Sequence, residues 1–177
     1  MMFLLAGCVD KPEKVTPVKN FELSRYLGTW YEIARLDHSF ERGLEQISAA
    51  YSMREDGGVK VINRGFDTKS KQFKEAEGKA YFVQTPDTGF LKVSFFGPFY
   101  GAYIIFDLDY EQYSLVSGPD LSYLWILSRK PVMDEETKKR LIDKAKAAGF
   151  DTDQLIFVEH AQTNGAAKDA MPSLQNR

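Results

Sequence analysis

The residues able to do chemistry in this chain are few and scattered. Cys8 is the one cysteine among 177 residues, so no disulfide can form within the chain. Nucleophilic catalysis needs a cysteine, serine or threonine held by a base, and the two histidines, His38 and His160, fall in separate loops with no sign of converging. Asp37, His38 and Glu41 could be assembled into an acid–base group, but the stretch reads as a solvated loop. Metal sites need ligands clustered at short spacing, and phosphate-binding loops need a glycine-rich run; neither pattern occurs. No catalysis, metal or cofactor is expected. What remains is a pair suited to structure, the Trp30 indole and the Arg129 guanidinium, together with Glu32, two residues from Trp30 and so on the same side of a strand.

The elements that must hold these residues are mostly strands. Basic and acidic side chains nearly balance, 23 against 25, so there is no basic field to hold a phosphate backbone, and nucleic acid is not an expected partner. Aromatic residues make up 14% of the chain and fall in short alternating runs, the period of half-buried strands. Such runs recur from Trp30 to Ser128 with turn residues between them. Asp56-Gly57-Gly58 is the clearest hairpin. In Lys74–Val83, Ala76, Gly78, Ala80 and Phe82 share one face against Glu75, Glu77, Lys79 and Tyr81. Both faces are apolar in Tyr103–Leu108 and Tyr123–Leu127, so their outer side needs a cover. A helix over 134–148 supplies it: Asp134 caps it, Gly149 ends it, and Leu141, Ile142, Ala145 and Ala148 form its apolar stripe. A short strand over 155–158 follows. A meander of about eight strands removes its edges by closing. The expected fold is all-β, an eight-stranded up-and-down antiparallel β-barrel over residues 20–160, with one C-terminal α-helix packed on the outside and a disordered tail over 161–177.

The N-terminal stretch has a different character. Leu5-Ala6-Gly7-Cys8 has the form of a bacterial lipobox, in which the chain is cut before the cysteine and the thiol is acylated. Residues 1–7 read as an incomplete lipoprotein signal peptide, because Met1 to Leu5 has neither a basic charge nor an apolar core of roughly 7–15 residues. Residues 8–19 read as acylated Cys8 and a flexible tether, polar with Pro12 and Pro17. No apolar run reaches the length of about 18 residues that a membrane-spanning helix needs. A lipid anchor would instead hold the domain at a bilayer surface.

Three motifs, in order, resemble the lipocalin family. They are Gly28-Thr29-Trp30-Tyr31 on the first strand, Leu108-Asp109-Tyr110 after the sixth, where Leu108 stands in place of the usual threonine, and Arg129 after the eighth. The wording from Arg25 to Arg35, the run from Phe95 to Gly101 and the lipobox are similar to the bacterial lipocalin lipoproteins. The resemblance implies that Gly28, Trp30, Asp109, Tyr110 and Arg129 form a structural floor. There the guanidinium would lie over the indole for roughly 0.5–2 kcal/mol, and Gly28 would let the preceding turn tuck beneath without a Cβ clash. Val9 after the cysteine, in place of an aspartate, implies by the same resemblance sorting to the outer membrane.

With Trp30 inward, alternation sets the parity of the other strands and turns Ala34 inward too. The ligand-binding candidates are Tyr51, Val61, Asn63 and Ala80 on the second to fourth strands, and Val93, Phe95, Tyr103 and Trp125 on the later ones. Bulky rings mixed with Ala and Gly suit an acyl chain with a polar head, so the expected ligand is a fatty acid or a lysophospholipid. Glu32 should pair with a polar neighbour, Asn63 or Tyr51. Around the mouth lie Leu36 to Gln46, Phe96 to Gly101 and Gly118-Pro119-Asp120. Phe96, Phe99 and Tyr100 either pack on one another as a lid or face a lipid or a partner, the last giving a homodimer. The expected function is a lipid-anchored carrier or store of such lipids on the periplasmic side of the outer membrane, its inner leaflet. A lipid-modifying enzyme using tyrosine hydroxyls or Glu32, and a filled-barrel interaction module, are the alternatives.

Overall fold

The alternating runs become eight consecutive strands, β1 (Gly28–Arg35), β2 (Leu44–Met53), β3 (Val59–Asp67), β4 (Gln72–Phe82), β5 (Phe90–Phe96), β6 (Phe99–Asp109), β7 (Tyr113–Ser117) and β8 (Leu124–Ser128). They are seen in a computed structural model that describes residues 9–161; the leader, Cys8 and the tail from residue 162 lie outside the described residues. Each strand pairs antiparallel with the next, and β1 pairs with both β8 and β2, so the sheet closes on itself. The β2–β3 turn is the expected hairpin: Gly57 takes φ +82°, and the Arg54 amide donates to the Gly58 carbonyl at 2.9 Å.

Two apolar layers lie on either side of this wall. Outside, Ile104, Phe106, Leu124 and Ile126 pack against Leu141 and Ala145 of α1, a helix over Glu135–Ala147. Its cap is as expected, with Asp134 Oδ1 accepting from the Thr137 amide at 2.8 Å, and burial of a side chain such as Leu141 contributes about 1.5–3 kcal/mol. The outer faces of β2 to β4 carry exposed ion pairs instead, Lys60–Glu77 at 3.2 Å and Arg64–Glu75 at 3.7 Å, each worth little in water. At the mouth, β2 splays away from β1 after Tyr31, and β9 (Ile156–Phe157) takes the vacated edge at Ala34 and Arg35.

Two expectations fail here for local physical reasons. The stretch expected as a flexible tether is laid on the barrel from residue 9 onward. Val15 is fully buried among Phe90, Ile104, Phe106, Ala145 and Ala148. The Val18 amide donates to the Ile105 carbonyl and its own carbonyl accepts from Gly89, both at 2.9 Å. One valine, Val15, joins the layer between helix and sheet, Val18 packs against the inner cluster, and the backbone bonds fix their register. Second, a β-bulge at Ile33 breaks the alternation of β1: Glu32 lies opposite Leu127, but Ala34 lies opposite Ile126. One extra residue flips everything after it. Ala34 therefore joins Ile33 on the helix side, not the interior, and Arg35, opposite Trp125, turns inward.

Candidate functional site

The base of the barrel is a plug built on Trp30. Its ring is fully buried, its Nε1 donates to the Tyr26 carbonyl at 2.9 Å, and the Arg129 guanidinium lies 3.8 Å from the ring centroid. The same guanidinium donates to the carbonyls of Tyr110 (2.9 Å), Thr29 (3.1 Å), Arg25 (2.8 Å) and Tyr26 (3.2 Å). It ties together three chain segments that meet at the floor. Tyr110 also accepts the Glu22 amide on its hydroxyl at 2.8 Å, and Asp109 accepts from the Glu111 amide at 2.9 Å, which shapes the β6–β7 turn. Gly28 is required for a reason other than the one expected. A Cβ there would meet Arg129 only at ordinary contact, 3.4 Å, but the backbone sits at φ +98°, where side chains are disfavoured.

Above the floor the interior has two unlike sides. On one, Tyr26 reaches up from below and its hydroxyl lies 2.7 Å from that of Tyr103 and 3.0 Å from Ser114 Oγ; Tyr103 in turn lies 2.8 Å from Tyr51. Burial pushes the Tyr26 hydroxyl up to about 12 and raises Tyr51 and Tyr103 as well, so all three stay protonated and serve as hydrogen-bonding groups. Next to this chain the bulge and the β1–β2 loop assemble an ionic cluster that simple alternation did not predict. Arg35 donates to Glu32 Oε1 and to the Glu41 carbonyl, both at 3.3 Å, and its Nε lies 3.6 Å from Glu41 Oε2. Trp125 Nε1 donates to the same carboxylate at 3.3 Å, and His38 Nε2 lies 2.7 Å from it, out of line for a hydrogen bond.

Glu32, Arg35, His38 and Glu41 are each no more than 6% exposed, so the loop expected to be solvated folds its His38 and Glu41 inward as a flap, while Asp37 stays in water, paired with the exposed Arg42. Glu32 does point inward, but its partner is Arg35 and neither Asn63 nor Tyr51. Burial, helped by the nearby Glu41 charge and opposed by Arg35, holds the Glu32 carboxyl well above the usual carboxylate range.

The other side is apolar. Val61, Ala80, Val93 and Phe95 line it with Tyr51, Tyr103 and Trp125 in one inner cluster, and Asn63 shares their side by register. The eight expected binding residues thus meet in one interior. Phe95 lies so close over Gly78 that a Cβ there would fall 2.7 Å from the ring, which is why this inward position is a glycine. Val93, Phe95, Asn63, Tyr103 and Trp125 all keep partial exposure. Ala76, expected inward, is exposed where β4 runs beyond the last residue that pairs with β5. At the mouth Phe96 and Phe99 stand 77% and 78% exposed, whereas Tyr100 turns to the outer wall, against Tyr81 and Lys92.

A closed up-and-down barrel with a plugged base and an interior of one polar and one apolar side is an architecture sized to enclose one small molecule. The chain belongs to the lipocalin-like family, whose lipocalin-like domain matches residues 21–160. The outer membrane lipoprotein Blc of Vibrio cholerae is 56% identical over 158 residues, which cover 88% of this chain and 92% of that protein. The outer membrane lipoprotein Blc of Escherichia coli is 51% identical over 160 residues, 89% and 90% of the two chains. Apolipoprotein D of Mus musculus is 31% identical over 167 residues, 90% and 85%. Among solved structures, insecticyanin of Manduca sexta shares the fold, with a TM-score of 0.68 at 22% identity over 86% of this chain and 88% of that one.

Proposed function

We propose that the protein is a lipid-anchored binding protein that carries or stores a fatty acid or a lysophospholipid inside the barrel. Acylated Cys8 holds it at the periplasmic face of the outer membrane. The observation that carries this reading is the two-sided interior: Val61, Ala80, Val93 and Phe95 face the tyrosine hydroxyls and the Arg35 cluster across the barrel. A molecule with one long apolar part and one polar end matches both sides. Desolvating the apolar part yields roughly 25 cal/mol per Å², and the polar wall gives the head hydrogen-bonding partners. The lipobox at Leu5 to Cys8 and the relatives named outer membrane lipoproteins support the location. Binding without turnover fits the state of Glu32, whose carboxyl is already engaged by Arg35.

Native mass spectrometry of the full chain purified from membranes tests this. The expected result is a diacylglyceryl-sized mass increment on the N-terminal cysteine together with co-purifying single-chain lipids of unaltered structure. Chemically altered lipids after incubation would favour the enzyme instead, and empty protein that takes up no added fatty acid would favour a filled barrel acting as an interaction module.

A further inference from the structure

We propose that Arg35 is the seat for the acid head of the bound lipid, the carboxylate of a fatty acid or the phosphate of a lysophospholipid, and that Glu41 occupies this seat as a stand-in until the ligand displaces its side chain. This rests on the binding part of the proposed function and names the residues that select the head.

Arg35 is the one lysine or arginine buried among the described residues, 4% exposed. It turns inward opposite Trp125, which belongs to the inner cluster with Val61 and Phe95. A guanidinium carries five N–H donors. Two of them are used, one on Glu32 Oε1 and one on the Glu41 carbonyl, both at 3.3 Å. Nε has no hydrogen-bond partner, because Glu41 Oε2 stands 3.6 Å away. An arginine seated on a carboxylate closes to about 2.7–2.9 Å, often through two parallel bonds, and a buried donor without an acceptor is rare enough in a folded protein to need a reason. Glu41 does not close on Arg35 because the same oxygen is shared: Trp125 Nε1 donates to it at 3.3 Å, and His38 Nε2 lies 2.7 Å from it. The carboxylate stands among three side chains and leaves the guanidinium edge open to a better acceptor.

Charge explains why the occupant is an acid and why it replaces Glu41 instead of joining it. An anion added to the cluster would bury an unpaired charge, whereas one carboxylate exchanged for another leaves the balance at Arg35 unchanged. The displaced side chain has water close by, since Phe40 and Arg42 on either side of Glu41 are exposed. Rotation of the side chain is enough, because the Glu41 carbonyl also accepts from the Leu44 amide at 3.1 Å and can stay in place. The tyrosine chain is no rival for the head. Its hydroxyls bond to one another and to Ser114 at 2.7–3.0 Å and carry no positive charge. Arg35 is the last residue of β1, at the end away from the Trp30 floor, so a head seated there sends its tail down the wall of Val61, Ala80, Val93 and Phe95 toward the plug. A neutral head can neither displace Glu41 nor replace its charge, and the seat therefore separates acids from alcohols of the same length.

The test measures Kd of the full chain for palmitic acid, hexadecanol and palmitoyl lysophosphatidylethanolamine by displacement of a fluorescent fatty-acid analogue. Glu41→Gln should bind palmitic acid severalfold more tightly than the natural chain, because the competitor for the seat has lost its charge, with hexadecanol unchanged. In Arg35→Met/Glu41→Gln, palmitic acid should fall to the affinity of hexadecanol. The indole N–H signals of Trp30 and Trp125, the two tryptophans of the chain, give a second readout. Palmitic acid, unlike hexadecanol, should move the Trp125 resonance upfield as its bond to Glu41 is lost, and should leave Trp30 in place. Weaker or unchanged binding of palmitic acid by Glu41→Gln overturns the proposal, and so does a folded double variant that still prefers the acid. Should the double variant not fold, Glu41→Gln, which keeps Arg35, decides alone. Lysophospholipid binding that tightens together with that of palmitic acid shows that the seat also takes a phosphate; tightening of palmitic acid alone makes it a carboxylate seat. If no variant binds palmitic acid or hexadecanol, the carrier reading itself falls and the seat with it, whereas equal binding of both by every variant removes the seat alone.

Discussion

Arg35 holds a guanidinium, 4% exposed, between two carboxyls. Taking such a charge out of water costs several kcal/mol, which only close partners offset, and a carboxylate left behind without its cation is worse placed than a neutral side chain. Arg35→Met should therefore destabilise the protein by about 3–5 kcal/mol in urea unfolding. Adding Glu41→Gln should restore a good part of that, because the charge Arg35 was balancing is then gone. A double variant no more stable than the single one would mean the cluster does not act as one electrostatic unit. Glu32 reports on the same cluster through pH. Burial is the largest influence on it and holds its carboxyl well above the ordinary range. Between the ordinary carboxylate value and the raised one, the folded protein keeps a proton that the unfolded chain has lost. The unfolded state binds fewer protons there, so stability falls as pH rises, by up to about 1.4 kcal/mol per pH unit from this group, and the contribution is complete below that window. Glu32→Gln cannot ionise and should remove that slope from a series of urea midpoints taken at stepped pH; an unaltered slope would place the titration on another group.

Between the residue and the barrel, two short devices decide what the interior and the outer wall contain: the bulge at Ile33 and the docked segment from Val9 to Lys19. The docked segment is held mainly by Val15 and by the backbone bonds of Val18. Val15→Ala should cost about 2 kcal/mol from lost burial and the space left behind. It should also speed amide exchange at Val18 and Gly89, whose protection depends on the segment staying down; unchanged exchange would mean the segment is held elsewhere. Neither device was legible in the sequence, for different reasons. Val15 and Val18 sit among Lys, Glu and Pro, and their apolar spacing was outweighed by a composition that reads as a linker. The bulge leaves no local mark, since Trp30 to Arg35 alternates well enough as a plain strand. Only the pairing with β8 shows that Ile33 and Ala34 both go to the helix side and that Arg35 is thrown inward. By contrast the Trp30–Arg129 floor, the closure of the meander and the helix over the doubly apolar strands were legible. Each follows from the parity of side chains or the need to cover an apolar face, which a sequence records directly. The flap over Arg35 depends on the path of a loop, and its buried Glu41 and His38 looked like any polar stretch.

At the scale of the whole molecule the proposed function raises the question of how deep the barrel would take an acyl chain. The plug at Trp30 and Tyr26 closes one end, the tyrosine hydroxyls lie above it, and the apolar wall of Val61, Ala80, Val93 and Phe95 runs beside them. A ligand that buries its tail along that wall gains about 0.8 kcal/mol per methylene, close to a fourfold tightening of Kd for each carbon added. A competition series of saturated fatty acids, read against a fluorescent analogue, should therefore tighten steadily with length. It should then break where the tail meets the plug and further carbons are left in water. The position of the break measures the usable depth of the interior, and Gly78→Val, which pushes Phe95 off its seat, should move it to shorter chains. A flat series would mean that only the head is held, at the mouth, and that the apolar wall is never reached. Because every bound molecule stabilises the folded state by mass action, the same break should reappear in the Tm of the protein measured across the series at fixed ligand concentration. That gives the depth a second readout independent of the fluorescent probe.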